Sequence, residues 1–97
     1  MSEATFRTKF LKDVKDLSPD IIIEFADPQR RNGIPDVIIF YKKKFARIET
    51  KRSKDASKRL HQQYYIDYFN SQGIYAAFLT PENKEEVFNA LRRYFKI

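Results

Sequence analysis

A chain of 97 residues, of which 42% are hydrophobic and 15% aromatic, can bury one core and has no stretch left for a second; this predicts a single domain over residues 1–97 and excludes a disordered chain. The net charge of +6 favours a polyanionic partner such as nucleic acid, with a merely solubilising basic surface as the equally weighted alternative. No cysteine is present, which excludes a disulfide framework and a thiolate metal site and suits a reducing compartment.

The amino-terminal segment has the pattern of an amphipathic helix rather than of a targeting signal. Apolar residues recur at helical spacing from Glu3 to Leu17, Ser2 is placed to act as N-cap, and Pro19 ends the pattern. The segment carries charges where a signal peptide needs an apolar run, and no stretch of the chain approaches the roughly 20 apolar residues of a membrane span. We therefore expect a protein of the bacterial or host-cell cytosol with no membrane partner.

Three strands are predicted to follow this helix. Residues 21–25 are rich in β-branched side chains and lead into a polar loop over residues 27–33. Residues 37–41 and 45–50 form two further apolar runs, separated only by Lys42, Lys43 and Lys44. The two runs are expected to pair as an antiparallel hairpin whose lysine-rich tip discourages edge pairing.

The rest of the chain predicts a helix, a strand and a last helix. The first of these helices contains Leu60 and a cluster of tyrosines and phenylalanines, ends before Gly73, and is assigned to core packing rather than to base stacking. Residues 75–79 form the strand, and Thr80-Pro81-Glu82 is expected to begin the last helix. The predicted fold is α/β, in the order αβββαβα, with a mixed four-stranded sheet flanked by helices. A right-handed crossover makes its fourth strand parallel to its third.

Strand geometry brings three polar residues together. Side chains alternate between the faces of a strand, so Glu49 and Lys51 lie on one face. A hairpin loop of two residues, 42 to 43, or of four, 41 to 44, places position 36 opposite position 49. A three-residue loop would shift this register, but it usually needs a glycine that the lysine run lacks. The sequence therefore predicts that Asp36 faces Glu49.

Two facing carboxylates predict a cation between them. Cross-strand Cβ atoms lie about 4.5 to 5.5 Å apart, and carboxylates at that spacing repel each other unless a positive charge intervenes. Oxygen donors suit Mg²⁺ or Mn²⁺ rather than Zn²⁺, and such an ion with a nearby ammonium, here Lys51, suits phosphodiester hydrolysis. Each residue also has an explanation without a catalytic function. Asp36 alone could be an ordinary turn residue, and Glu49 with Lys51 could be an ordinary ion pair on a solvated strand face.

The motifs Gly33-Ile34-Pro35-Asp36 and Glu49-Thr50-Lys51, followed by Gln62 ahead of Tyr65 and Gly73, resemble the virus-type replication-repair nuclease (VRR-NUC) branch of the PD-(D/E)xK nucleases. The likeness covers nearly the whole chain and implies a restriction-endonuclease-like fold. It also implies that the carboxylates of Asp36 and Glu49 and the backbone carbonyl of Thr50 bind Mg²⁺ or Mn²⁺. By the same resemblance, Lys51 assists the attacking water and Gln62 supports the site.

Other polar residues are candidates for supporting roles. Glu3 resembles the acid that such enzymes carry on the first helix and is a possible further metal contact, although an acid at a helix start is also a common dipole partner. Gln62 is preferred to Gln63 because Gln62 shares a helical face with Ile66 and Phe69. His61 is not assigned a catalytic role. The candidate DNA-backbone contacts, which are equally well explained as solvated loop residues, are Arg30, Arg31, Arg52, Lys54, Lys58 and Arg59.

The resemblance implies a Mg²⁺-dependent endodeoxyribonuclease of the phage-encoded type that acts on branched DNA as a Holliday junction resolvase does. Two alternatives stay open: a restriction-like or mobile-element nuclease that needs a targeting partner, and a nucleic-acid-binding module without catalysis. Cutting a junction on two strands suits a homodimer with two copies of the site. Aromatic surface near Tyr94 and Phe95, or on the second helix, is the expected source of the dimer contact.

Overall fold

The computed structural model describes residues 2–27 and 31–97, and Arg30 lies outside them. Within these ranges the chain forms α1 (Glu3–Lys15), β1 (Ile22–Phe25), β2 (Val37–Tyr41), β3 (Lys44–Thr50), α2 (Leu60–Ser71), β4 (Ala76–Leu79) and α3 (Lys84–Phe95). The predicted order αβββαβα and the α/β class are confirmed.

The strands form one mixed sheet in the order β1-β2-β3-β4. The pairs β1–β2 and β2–β3 are antiparallel, and β4 pairs with β3 in parallel, as predicted for a meander followed by a crossover. The parallel pairing continues one residue past β3, because the Lys51 N–H donates to the Leu79 carbonyl at 2.8 Å. The end of β3 is therefore paired with β4.

A two-residue loop closes the hairpin between β2 and β3. Tyr41 pairs with Lys44, and Lys42 between them has a φ of 55°, a positive value of the kind that tight hairpin loops require. The register then runs back along the strands to the pair Val37 and Ile48. The next step of this register brings position 36 to position 49, as the sequence predicted.

The helices lie on both faces of the sheet. Buried residues of α1 and α3, among them Phe10 and Leu91, form one core with Val37, Ile39, Ala46 and Ile48. Arg47 points to the other face because strand side chains alternate, and there its guanidinium lies 5.2 Å from the centroid of the Phe69 ring of α2. Helix α2 thus covers the face opposite to the main core.

The start of the first helix agrees with the sequence prediction, and the start of the last helix differs from it. Ser2 caps α1 as expected, since its hydroxyl accepts from the Thr5 N–H at 3.1 Å. The last helix begins at Lys84 rather than at Thr80, because Thr80 and Asn83 bond to each other's backbone N–H groups and close a turn first. The Asn83 amide also donates to the Phe78 carbonyl at 2.9 Å, which ties this turn to β4.

The packing assignment of the second helix is wrong for two of its tyrosines, and of the two aromatic surfaces expected for a dimer contact only the one on the second helix is exposed. Phe95 is 4% exposed and belongs to the core, and the Tyr94 hydroxyl donates to the Phe45 carbonyl at 2.9 Å, so this pair does not form an open aromatic surface. On α2, by contrast, Tyr64 is 60% exposed and Tyr68 is 46% exposed. Their helical periodicity placed them correctly on a helix but did not show which face of that helix is covered.

Across residues 2–27 and 31–97, none of the helices combines the length and the apolar character that crossing a bilayer requires.

Candidate active site

The end of the β2–β3 hairpin brings Asp36 and Glu49 together. Glu49 is 9% exposed, and the backbone N–H of Asp36 points to its carboxyl group. Burial and, second to it, the neighbouring Asp36 charge raise the pKa of Glu49 to about 7, although Lys51 opposes the shift. A carboxyl group with so high a pKa is desolvated and held against a like charge, which is the electrostatic condition of a cation site.

Arg7 of α1 contacts the other carboxylate and was not singled out in the sequence. Its guanidinium lies 2.9 Å from Oδ2 of Asp36 and also packs 5.1 Å from the centroid of the Phe25 ring. Burial nevertheless raises the pKa of Asp36, while the Arg7 charge and the Thr50 N–H lower it. The second oxygen, Oδ1, is buried and has no hydrogen-bond partner. One oxygen of Asp36 is therefore fixed, and the other is open for a ligand.

Lys51 and Gln62 form the second half of the site. The Lys51 ammonium donates to Oε1 of Gln62 at 2.7 Å, and the same oxygen accepts from the Arg59 N–H at 3.0 Å. Gln62 is the third residue of α2 and so caps the helix while it fixes the lysine. Gln63 bonds instead to Asp67 on its own helix, at 2.9 Å. Between the two glutamines, it is Gln62 that lies at the site.

A close backbone approach at Gly33 sets the position of α2. Gly33 has a φ of +84°, and a Cβ placed there would lie 2.5 Å from Cβ of His61 and 3.0 Å from the Gln62 nitrogen. Beside this contact, the Asn32 amide and Nδ1 of His61 are 3.0 Å apart. His61 thus serves to join the loop to the helix, and the glycine of the Gly-Ile-Pro-Asp motif lets Gln62 reach Lys51.

Arg47 supports the site from the face of the sheet that also carries Glu49, and it was also missed in the sequence. It is 8% exposed, and its guanidinium donates to the Pro35 carbonyl at 2.7 Å. Burial lowers the pKa of Arg47, and the Asp36 charge opposes this shift. The available signal was an arginine within an apolar strand, two residues before Glu49 and on the same face. For Arg7 the signal was its position one turn after Glu3 on α1.

The remaining predicted residues lie around this centre. Glu3 is exposed, and its charge raises the pKa of Glu49, which places it within electrostatic reach of the carboxylates. Arg31 donates to the Tyr65 hydroxyl at 3.3 Å, and the Lys58 ammonium lies 5.3 Å from the centroid of the Phe78 ring. The Lys54 backbone N–H is bonded to Glu82. The exposed cations of the described ranges near the site are Arg31, Arg52, Lys54, Lys58 and Arg59.

The donor set fits a hard divalent cation that keeps several waters. In the described part of the chain, no three His, Cys, Asp or Glu side chains are grouped as a metal cage. The carboxylates of Asp36 and Glu49 with the Thr50 carbonyl would be the protein ligands, and Mg²⁺ is commonly bound by one or two carboxylates plus waters. The buried, unpartnered Oδ1 of Asp36 supports this fit. A separate cavity of about 630 Å³ between α1 and α3 contains none of these residues.

No protein-family model and no curated protein matches the sequence. A solved structure named as a VRR_NUC domain protein is similar to the chain, with a TM-score of 0.71 and 17% sequence identity. The likeness covers 99% of this chain and 89% of that one. At this level of identity the comparison shows a shared fold, and the fold agrees with the resemblance that the sequence motifs carry.

Replacing Gly33 tests the close approach of the loop to α2. Gly33→Ala should lower the free energy of unfolding by about 1–3 kcal/mol, because the added Cβ meets His61 and the backbone has a positive φ. Gly73→Ala is the matched control, since Gly73 has a φ of +79° but nothing within 4 Å of its Cβ position. Denaturant unfolding should show the larger loss for Gly33→Ala. Equal losses would mean that the contact with α2 is not tight.

The raised pKa of Glu49 predicts a pH-dependent stability of the metal-free protein. In the folded protein Glu49 keeps its proton up to about pH 7, whereas in the unfolded chain it loses the proton near its ordinary pKa of 4.5. The protonated group therefore favours folding at low pH. This contribution to the free energy of unfolding is lost as the pH rises through about 7. Glu49→Gln should therefore raise the melting temperature in EDTA above pH 7 and change it little near pH 4.5. Thermal unfolding across this range is the measurement, and a variant less stable than the wild type at high pH would contradict it.

Proposed function

We propose that the protein is a Mg²⁺- or Mn²⁺-dependent endodeoxyribonuclease of the VRR-NUC type. The observation that carries this proposal is the buried Asp36–Glu49 pair beside the Lys51–Gln62 hydrogen bond, at the end of a hairpin in a fold similar to that of a VRR_NUC domain protein. The net charge of +6 and the exposed cations around the site suit a phosphodiester backbone as substrate.

Each side chain of the site has a distinct role in this proposal. Asp36 and Glu49 hold the cation, and Arg7 keeps Oδ2 of Asp36 occupied so that Oδ1 faces the ligand. When bound, the cation supplies Lewis acidity for the phosphodiester and offsets the charge of the two carboxylates. Raising the pH through about 7 deprotonates Glu49 and prepares it as a ligand.

Lys51 is the residue that acts on the attacking water in this proposal. Oε1 of Gln62 accepts a hydrogen bond from one N–H of the Lys51 ammonium, which fixes the direction of the other two N–H groups. The ammonium can then orient the attacking water and neutralise negative charge as the phosphorus–oxygen bond breaks. Hydrolysis leaves a phosphate monoester on one side of the nick and a hydroxyl group on the other. A non-catalytic DNA-binding module would have no need for this lysine arrangement.

Variants of the site separate metal binding from chemistry. Wild-type protein should cut DNA with Mg²⁺ or Mn²⁺ and stop in EDTA, and Ca²⁺ should support little turnover because its looser coordination positions water poorly. Lys51→Ala should lose most turnover, by about 10²-fold or more, while it keeps its affinity for Mn²⁺. Asp36→Asn and Glu49→Gln should weaken Mn²⁺ binding as well. Cleavage assays and calorimetry are the measurements.

Gln63→Ala is the matched control for Gln62→Ala, because the two amides are adjacent on α2 and only Gln62 contacts Lys51. Loss of turnover in Gln62→Ala alone would support the role of the hydrogen bond. Cleavage that persists in excess EDTA, or a Lys51→Ala variant as fast as the wild type, would refute the proposed mechanism.

We further propose a homodimer that prefers four-way DNA junctions to linear duplex. One copy of the chain offers one Asp36–Glu49 centre and cuts one strand, whereas a two-fold dimer presents two centres to symmetry-related strands. Light scattering at micromolar concentration should give twice the chain mass of 11.6 kDa. Cleavage of junction, flap and duplex DNA at equal rates by a monomer would remove the resolvase assignment and leave the nuclease assignment unaffected.

A further inference from the structure

Helix α2 carries an exposed apolar stripe that the core does not use. Leu60, Tyr64 and Tyr68 follow each other at intervals of four residues and are 85%, 60% and 46% exposed. Residues at this spacing share one side of a helix. The term "α2 stripe" is used below for these three residues.

Neighbouring aromatic residues of the same helix have different surroundings. Tyr65 accepts a hydrogen bond from Arg31, and Phe69 lies under the guanidinium of Arg47. Both are only partly exposed, as is expected of side chains that pack the helix onto the sheet. The exposure of Tyr64 and Tyr68 is therefore a property of one side of α2 and not of the whole helix.

The two exposed rings are stacked on each other. Their planes are nearly parallel, at 16°, and their centroids are 6.3 Å apart. Tyr65 meets the edge of Tyr64, at 81°, and Phe69 meets Tyr68 at 70°. These edge contacts hold the orientation of the rings, so that ordering them for a planar ligand costs little conformational entropy.

The α2 stripe begins in the same helical turn as Gln62, on the other side of the helix. Leu60 precedes Gln62 by two positions, and from Leu60 to Tyr68 the helix rises about 12 Å at 1.5 Å per residue. A strand with a rise of about 3.4 Å per nucleotide would place about three nucleotides along this length. A DNA strand that leaves the site can therefore follow α2.

The charged residues on α2 and near its start favour a negatively charged ligand. Asp67 is the one acidic residue within α2, and it accepts a hydrogen bond from Gln63. Exposed cations stand near the start of the helix, where Lys58 and Arg59 precede Leu60, and Arg31 is bonded to Tyr65. Aromatic rings bordered by cations are the arrangement that binds single-stranded nucleic acid, through its bases and its phosphates together.

We propose that the α2 stripe binds unpaired nucleotides of the DNA by base stacking on Tyr64 and Tyr68. This inference rests on the proposed nuclease function, because DNA is the ligand assumed. The faces of bases inside an intact duplex are already stacked on the neighbouring base pairs and are not free to stack on a protein ring. The stripe therefore gives the site a preference for DNA in which a single-stranded segment adjoins the cut, as in flaps and opened branches.

Binding of matched oligonucleotides in EDTA tests this without relying on the metal or on cleavage. The probes are one fluorescently labelled duplex with blunt ends and the same duplex with a 5′ or a 3′ single-stranded extension. Tyr64→Ala and Tyr68→Ala should each weaken binding of an extended probe about fivefold to a hundredfold and change blunt-duplex binding little. Tyr64→Phe and Tyr68→Phe keep the ring and should bind as the wild type does.

Phe40→Ala is the control for loss of an exposed aromatic residue, since Phe40 is 37% exposed and lies near the hairpin tip. It should bind all probes like the wild type. Equal losses on blunt and extended probes, or no loss in the alanine variants, would overturn the proposal. A third result would also overturn the proposal: Tyr68→Ala converts a dimer into a monomer in light scattering and leaves the affinity for DNA unchanged. The α2 stripe would then be a protein interface.

The two proposals fail separately. A wild-type protein that cuts no DNA with Mg²⁺ but binds extensions through the tyrosines would refute the nuclease and keep the stacking site. A wild-type protein that cuts DNA normally, with Tyr64→Ala and Tyr68→Ala variants that bind blunt and extended probes as the wild type does, would refute the stacking site and keep the nuclease.

Discussion

Two carboxylates stand together in this protein because a hairpin turn fixes the register of the strands that carry them. With Tyr41 paired to Lys44, every pair down to Val37 and Ile48 is determined, and extending this register by one step brings position 36 to position 49, where Asp36 acts on the charge of Glu49. A shift of one residue would send each side chain to the other face of the sheet. The main core would lose its inward-facing residues at the same time as the site lost its geometry, so the packing of the fold protects the register that the chemistry needs.

Holding this pair has an electrostatic cost that the surrounding residues reduce without removing. Arg7 contacts Asp36, and Lys51 acts on Glu49, yet burial raises the pKa of both carboxyl groups. Burial is the largest cause of both shifts, and for Glu49 the neighbouring Asp36 charge adds to it. A divalent ion bound between the two groups would favour their charged forms and so oppose both effects. Without such an ion the pair is a locally unfavourable part of the fold, as is common where function requires charges to be gathered.

The sequence predicted the elements, their order and the hairpin register because these depend on local pattern and turn length. Hydrophobic periodicity identified the helices and strands, and the lysine-only turn excluded the glycine-dependent loop that would have shifted Asp36 away from Glu49. The contacts of Arg7 and Arg47 with the site were not predicted from the sequence. They depend on how α1 and the loop before β2 pack against the sheet, and a local sequence pattern does not give this packing. The exposure of Tyr64 and Tyr68 was mispredicted for a similar reason. Periodicity gives the spacing of a helical face but does not say whether another element covers it.

Helix α2 contacts the lysine of the site, the loop before Asp36 and Arg47, and the sequence did not predict these contacts together. Its first turn supplies Gln62 to Lys51, and Gly33 allows the loop before Asp36 to pack against the same turn. Its inner side meets Arg47, which in turn bonds to Pro35 next to Asp36. A displacement of α2 would therefore move the lysine partner and the support of the carboxylate together. Because the exposed stripe is part of the same rigid helix, a DNA strand stacked on it would be held in a fixed position relative to the carboxylate pair, and binding energy gained along α2 would align the phosphodiester with the site.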